Sequence, residues 1–132
     1  MKLYTPLLLW IILLGCSTTP PTYDTSITVD RYFRYAQDAR DAEKYARAMQ
    51  YYDIIIANFN DRPDKVLVAE YEKAYVYYLE KKYTTSLDHL QVLLGKIQAT
   101  DPRIVPPALG SLIGLLAEKN EKKLKKGSPG TP

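Results

Sequence analysis

Lys44-Tyr45-Ala46-Arg47-Ala48 returns, 38 residues further along the chain, as Lys82-Tyr83-Thr84-Thr85-Ser86. The correspondence continues beyond each segment, with Tyr52 and Ile55 after the first and Leu90 and Leu93 after the second. Twelve residues before Ala48 and Ser86 stand Ala36 and Ala74, again small, where two helices of a hairpin would have to approach closely. Pro63 and Pro102 close the two stretches, 39 residues apart. A fixed interval of this length marks a repeat architecture, in which each unit is one supersecondary motif that buries its apolar face on the next.

Around this motif the chain reads as helix. From Asp30 to Phe59 there is no proline or glycine, and apolar residues recur at three- and four-residue intervals. Asn58-Phe59-Asn60-Asp61-Arg62-Pro63-Asp64 is a break, followed by helical runs from Lys65 to about Lys82 and from about Thr84 to Ala99. Thr100-Asp101-Pro102 and Pro106-Pro107 interrupt the chain before a last helix, Ala108 to about Lys125. Its apolar face is assigned to Leu109, Leu112, Leu115 and Leu116, with Gly110 and Gly114 permitting close approach. Two units expose apolar end faces, and this helix is expected to cap one of them. Its apolar and then basic run also suits a helix on a membrane surface, although Glu118 and Glu121 dilute the lysines. The expected fold is all-α: antiparallel helix hairpins in a short solenoid over residues 30–126 with a C-terminal capping helix. A plain four- or five-helix bundle is the alternative.

The pattern resembles the tetratricopeptide repeat, in which small, aromatic and closing proline residues recur about every 34 residues. Tyr45-Ala46-Arg47-Ala48-Met49-Gln50-Tyr51-Tyr52 and Ala69-Glu70-Tyr71-Glu72-Lys73-Ala74-Tyr75-Val76-Tyr77-Tyr78 look especially like the longer repeats of envelope lipoproteins in outer-membrane-protein assembly and cell-division coordination. The likeness covers about Asp30 to Pro102. The first unit lacks the tryptophan or leucine and glycine signature of the opening helix, and two units stand where those families carry more. The resemblance implies a scaffold that binds other proteins of the cell envelope.

The amino terminus points the same way. Lys2, an apolar run from Leu7 to Leu14, and Gly15 fit a secretory leader over residues 1–15, too short to span a bilayer. Leu13-Leu14-Gly15-Cys16 resembles the bacterial lipobox, so Cys16 is the expected lipidation site, its thiolate accepting a diacylglyceryl group. Two or three acyl chains hold a protein far more firmly than one. Ser17 after the cysteine looks like the signal for delivery to the outer membrane, where the host has one. The lipidated, Thr-, Ser- and Pro-rich stretch 16–29 is expected to be an extended tether. Its thirteen residues from Ser17 to Val29 reach about 40 Å at full stretch. Residues 127–132 are expected to be a disordered tail.

In 132 residues with a net charge of +3, 25% charged and 46% hydrophobic composition describes a globular body rather than a disordered chain or a multi-span membrane protein. Twelve tyrosines against two phenylalanines favour half-buried, wet contact surfaces. With one cysteine and one histidine, His89, there is no triad, disulfide framework or cysteine-rich metal site. Neither cofactor nor metal is expected, and His89 reads as a surface or groove-edge residue. There is also no phosphate-binding glycine loop.

Binding is better provided for. Tyr71, Tyr75 and Tyr78 fall at i, i+4 and i+7 on one helix face, and the 38-residue offset places Phe33, Gln37 and Arg40 on the matching face of the first helix. Aromatic and arginine anchors dominate interface energetics. The expected partner surface is therefore these six residues, engaging an envelope protein; the same stripe could instead serve as core under the last helix. A binder of small molecules or peptidoglycan fragments is the second reading. Nucleic acid, through Lys119, Lys122, Lys123, Lys125 and Lys126, is disfavoured by export. Oligomeric state is not legible in the sequence.

Overall fold

The computed structural model describes residues 19–127. The expected leader, the expected lipidation site Cys16 and the residues after Gly127 lie outside this range. Five helices follow in order: α1 (Val29–Asp41), α2 (Tyr45–Asn58), α3 (Pro63–Leu79), α4 (Tyr83–Gln98) and α5 (Leu109–Gly127). Among the described residues there is no strand. α1 and α2 pair as one antiparallel hairpin and α3 and α4 as a second; α3 also packs on α2, and α5 on α4 and α3. This is a short solenoid of helix hairpins. Its fifth helix sits on the second hairpin much as α3 sits on the first.

Polar contacts fix the helix directions. Lys65 at the start of α3 reaches Asp30 at the start of α1 at 2.8 Å, and Arg40 late in α1 reaches Glu72 of α3 at 2.7 Å, so the two helices run side by side in one sense. Asn120 Nδ2 donates to Ser86 Oγ at 2.9 Å, which sets the second half of α5 beside the start of α4. α5 is therefore antiparallel to α4 and parallel to α3.

The 38-residue interval governs burial. Ala36 and Ala74 are both fully buried, as are Ala48 and Ser86, and Tyr52, Leu90, Ile55 and Leu93 are buried with them. The hairpin turns obey it too. Glu43 and Lys81 have φ of 57° and 62°, in the left-handed region. In each turn the next amide reaches back five residues, Lys44 to the Ala39 carbonyl at 2.8 Å and Lys82 to that of Tyr77 at 2.9 Å. The left-handed residue itself bonds three back, Glu43 to Arg40 and Lys81 to Tyr78. This bond pair is the Schellman close of a helix, which normally places glycine at the left-handed position. Here the chain turns without glycine or proline, so the break inside Asp30–Phe59 leaves no compositional mark. The α2–α3 break, by contrast, is signalled by Pro63 as the first residue of α3, where its missing N–H costs nothing.

Two cores result. Tyr32, Phe33, Ala36, Tyr52 and Ile55 form the first with Ala69 and Val76 of α3. Leu67 and Ala74 of α3 join Leu90, Leu93, Leu109, Ile113 and Leu116 in the second. α3 thus buries two faces, which is why its apolar residues surround the helix instead of forming one stripe.

Three sequence expectations change. α5 packs through Leu109, Ile113, Leu116 and Asn120, while Leu112 and Leu115 are 40% and 56% exposed. The 3.6-residue period sets 109, 113, 116 and 120 on one line and turns 112 and 115 off it. Gly110 and Gly114 make no close approach, since a Cβ at either would meet nothing within 4 Å. The end of the expected tether belongs to the body. The ring of Tyr23 lies 6.2 Å from Tyr32 and 5.8 Å from Phe59, and Ile27 packs on the first core. The Asp24 amide donates to the Tyr32 hydroxyl at 2.7 Å. This segment covers a face of unit one that would otherwise be open, which gives an apparently polar spacer its reason to dock. No described helix is long and apolar enough to cross a membrane.

Candidate functional site

Because α1 and α3 run parallel, Arg40 projects onto α3. Its guanidinium pairs with Glu72 Oε2, contacts Asp41 Oδ1 at 3.2 Å, and lies 5.6 Å from the centre of the Tyr75 ring. Tyr75 stacks on Tyr78, centroids 6.1 Å apart and planes 13° from parallel, and Tyr78 meets Tyr83 at 5.7 Å. The sequence places Arg40, Tyr75 and Tyr78 in one surface, and here they form a continuous cation and aromatic seam across the junction of the two units.

The remaining residues divide. Gln37 is exposed on α1. Tyr71 is half-buried, and loss of solvent, then the neighbouring Glu72, push its hydroxyl pKa upward. Tyr71, Tyr75 and Tyr78 all rest on the second core with one edge inward, so the stripe is core on one side and surface on the other. Phe33 does not belong to the surface. It is buried with its ring 6.2 Å from that of Tyr52, because in α1 this position faces its own hairpin partner and α3 together.

Beneath the seam lies a polar contact that sequence reasoning passes over. Tyr52, fully buried in α2, donates its hydroxyl to Glu72 Oε2 at 3.3 Å, so one carboxylate joins α1, α2 and α3. Burial pushes the Glu72 carboxyl above its usual pKa, overriding Arg40 and the Tyr52 hydroxyl, which pull it down. Burial, and then Glu72, push the Tyr52 phenol upward as well. In sequence Glu72 is one more acid on a charged helix, and only the parallel packing of α1 and α3 reveals its partner.

His89 packs edge-on against Tyr77 with centroids 5.1 Å apart. Burial, then the charge of Lys73, hold its imidazole below the ordinary pKa, which favours the neutral form near pH 7. Among the described residues no three His, Cys, Asp or Glu side chains are grouped to hold a metal.

An open cleft of about 800 Å³, also unseen in the sequence, lies at the α1–α2 turn, lined by Tyr35, Tyr45, Tyr51, Arg47 and Glu43 and reached by Glu80 from the next turn. Arg47 sits 5.4 Å from the centre of the Tyr51 ring and donates Nη1 to the Thr19 carbonyl. Its tyrosines are not those of the seam.

No family model matches the chain, and no solved structure does. The chain is similar to an uncharacterized protein of Treponema pallidum (strain Nichols), 28% identical over 98 residues that make up 73% of this chain and 39% of the relative. It therefore spans about two fifths of that relative's length.

Proposed function

We propose that the protein is a lipid-anchored scaffold of the bacterial envelope that docks other envelope proteins on the face where its two helix hairpins meet. The observation that carries this reading is the seam itself. Arg40, Tyr75 and Tyr78 are stacked together over Glu72 and the second core and stay partly exposed, and Gln37 is exposed one helical turn before Arg40. Rigid aromatic and arginine side chains lose little freedom on binding, and such residues anchor interfaces. The leader and Leu13-Leu14-Gly15-Cys16 support attachment through Cys16, and Ser17 supports the periplasmic face of an outer membrane where the host has one. The site's chemistry is recognition without turnover.

The test is a photocrosslinking residue placed singly at Gln37 or Tyr75 in the full-length protein in its native cells, with Asp88 on the far side of α4 as control. A discrete adduct with an envelope protein at the first two positions and none at Asp88 is expected; equal labelling at all three sinks the docking face. Separately, Cys16→Ser is expected to remove the protein from the detergent-extracted membrane fraction or leave an uncleaved precursor. Unchanged acylation would contradict the anchor.

The cleft at the α1–α2 turn favours a second reading, a binder of small molecules or peptidoglycan fragments. Tyrosine faces and charged side chains together suit a sugar ring with its hydroxyls. Titration with a muropeptide, followed by amide NMR, separates the readings: shifts at Tyr45 and Tyr51 support it, and a silent cleft at millimolar ligand removes it.

A further inference from the structure

One edge of the solenoid gathers features that lie far apart in the sequence. Parallel α1, α3 and α5 all end at the edge where the two hairpin turns lie. The α1–α2 turn carries Glu43 and Lys44, and the α3–α4 turn carries Lys81 and Lys82, with Lys44, Lys81 and Lys82 exposed. Glu80 of the second turn lines the same cleft as Glu43 of the first, so the turns are neighbours in space. The third contribution is α5. Asn120 meets Ser86 near the start of α4, so the seven residues from Glu121 to Gly127, all exposed and helical, run on toward and past this edge. That is roughly 10 Å of helix. It carries Lys122, Lys123, Lys125 and Lys126 against Glu121 alone.

The described chain also begins at this edge. Arg47, in the first turn of α2, holds the Thr19 carbonyl, and from there the segment runs toward the opposite edge, where Tyr23 meets Phe59 beyond the end of α2. Cys16 is three residues before Thr19, at most roughly 10 Å of extended chain away. The opposite edge, where α1, α3 and α5 start, bears Asp24, Asp30, Asp61, Asp64 and Asp101 among its cations.

We propose that the turn edge is a membrane-facing surface that rests on anionic lipid headgroups, with the lysines of α5 and of the α3–α4 turn as its contacts. The inference rests on the reading of Cys16 as the lipid anchor, because a chain held at Arg47 with three residues left to Cys16 keeps that anchor close to this edge. Clustered lysines close to a charged leaflet are attracted within about a Debye length, so contact depends on salt and on lipid charge. The edge orients the solenoid upright, with its helix axes steep to the membrane.

The test uses the full-length protein extracted from its own membranes and reconstituted into vesicles of phosphatidylcholine, with or without 30% phosphatidylglycerol, whose headgroups carry a nitroxide quencher. A fluorophore is placed at Lys82→Cys or, on the opposite edge, Arg62→Cys. Quenching at position 82 several-fold above that at 62 is expected with phosphatidylglycerol, falling by at least half in 500 mM NaCl, in pure phosphatidylcholine, or in the Lys122→Glu, Lys123→Glu, Lys126→Glu variant. Equal quenching at both positions, or quenching at 82 indifferent to lipid charge, salt and the lysines, overturns the proposal. The mass of the N-terminal peptide from the same sample reports acylation of Cys16, so failure of the anchor is read separately from failure of the edge.

Discussion

The buried Asn120 carboxamide of α5 donates to Ser86 Oγ of α4, and that hydroxyl in turn donates to the Ala74 carbonyl of α3 at 2.8 Å. One small hydroxyl thereby ties the last helix to the second hairpin. At the equivalent place in unit one stands Ala48, which shows that a methyl fits such a site. Ser86→Ala is expected to cost about 1–3 kcal/mol, because a buried Asn120 N–H loses its acceptor and the Ala74 carbonyl loses the hydroxyl that donates to it. Urea unfolding followed by circular dichroism measures it, and an unmoved midpoint would show that the link to α5 carries no net stability.

Both hairpin turns hold a non-glycine residue in the left-handed region. Such a residue is strained by roughly 1–2 kcal/mol, while glycine gives back part of that gain through its freer unfolded chain. Glu43→Gly and Lys81→Gly are each expected to stabilise by about 0.5–1 kcal/mol and, being in different turns, to add. The combined variant's denaturation midpoint checks this; a loss of stability in either would mean that the turn is held by side-chain contacts and not by backbone alone.

Gly114 sits inside α5 with open space where a Cβ would go. Gly114→Ala is therefore expected to raise stability by up to about 1 kcal/mol through helix propensity. The same substitution would clash if the glycine allowed a close helix crossing, so thermal melting of this variant distinguishes the packing described from the one the sequence suggests.

Glu72 offers a pH test. Its folded carboxyl titrates above the ordinary value of 4.5. Between these two values the folded protein holds more protons than the unfolded chain, so this group's contribution declines as pH rises through that window. Glu72→Gln removes the dependence, and its stability relative to wild type is expected to improve between pH 4.5 and pH 7. Denaturant titrations at both pH values decide it. The reverse trend would show that attraction to Arg40 outweighs the burial of the charge.

Much of the fold is legible because a repeat writes each structural demand twice. Ala36 and Ala74, Ala48 and Ser86, Tyr52 and Leu90 announce their burial by recurring. What recurs only in backbone form is invisible: nothing in the letters of Glu43 or Lys81 says that the chain reverses there. α5 lies outside the interval, and its leucines by themselves point to Leu112 and Leu115, whereas Ile113 is the residue that packs. In the candidate site, helical spacing suffices to place Tyr71, Tyr75 and Tyr78 together. The Arg40–Glu72–Tyr52 contact depends on three helices meeting, which no local pattern encodes, and Phe33 turns inward because two helices flank it.

The docking of Tyr23 onto Tyr32 and Phe59 would shorten any leash that runs from Cys16. An anchor at Cys16 would leave six residues, Ser17 to Thr22, between lipid and clasp, about 20 Å when taut, and Arg47 takes up part of that. On the proposed anchoring, a docking partner would have to come down close to the bilayer surface to be caught.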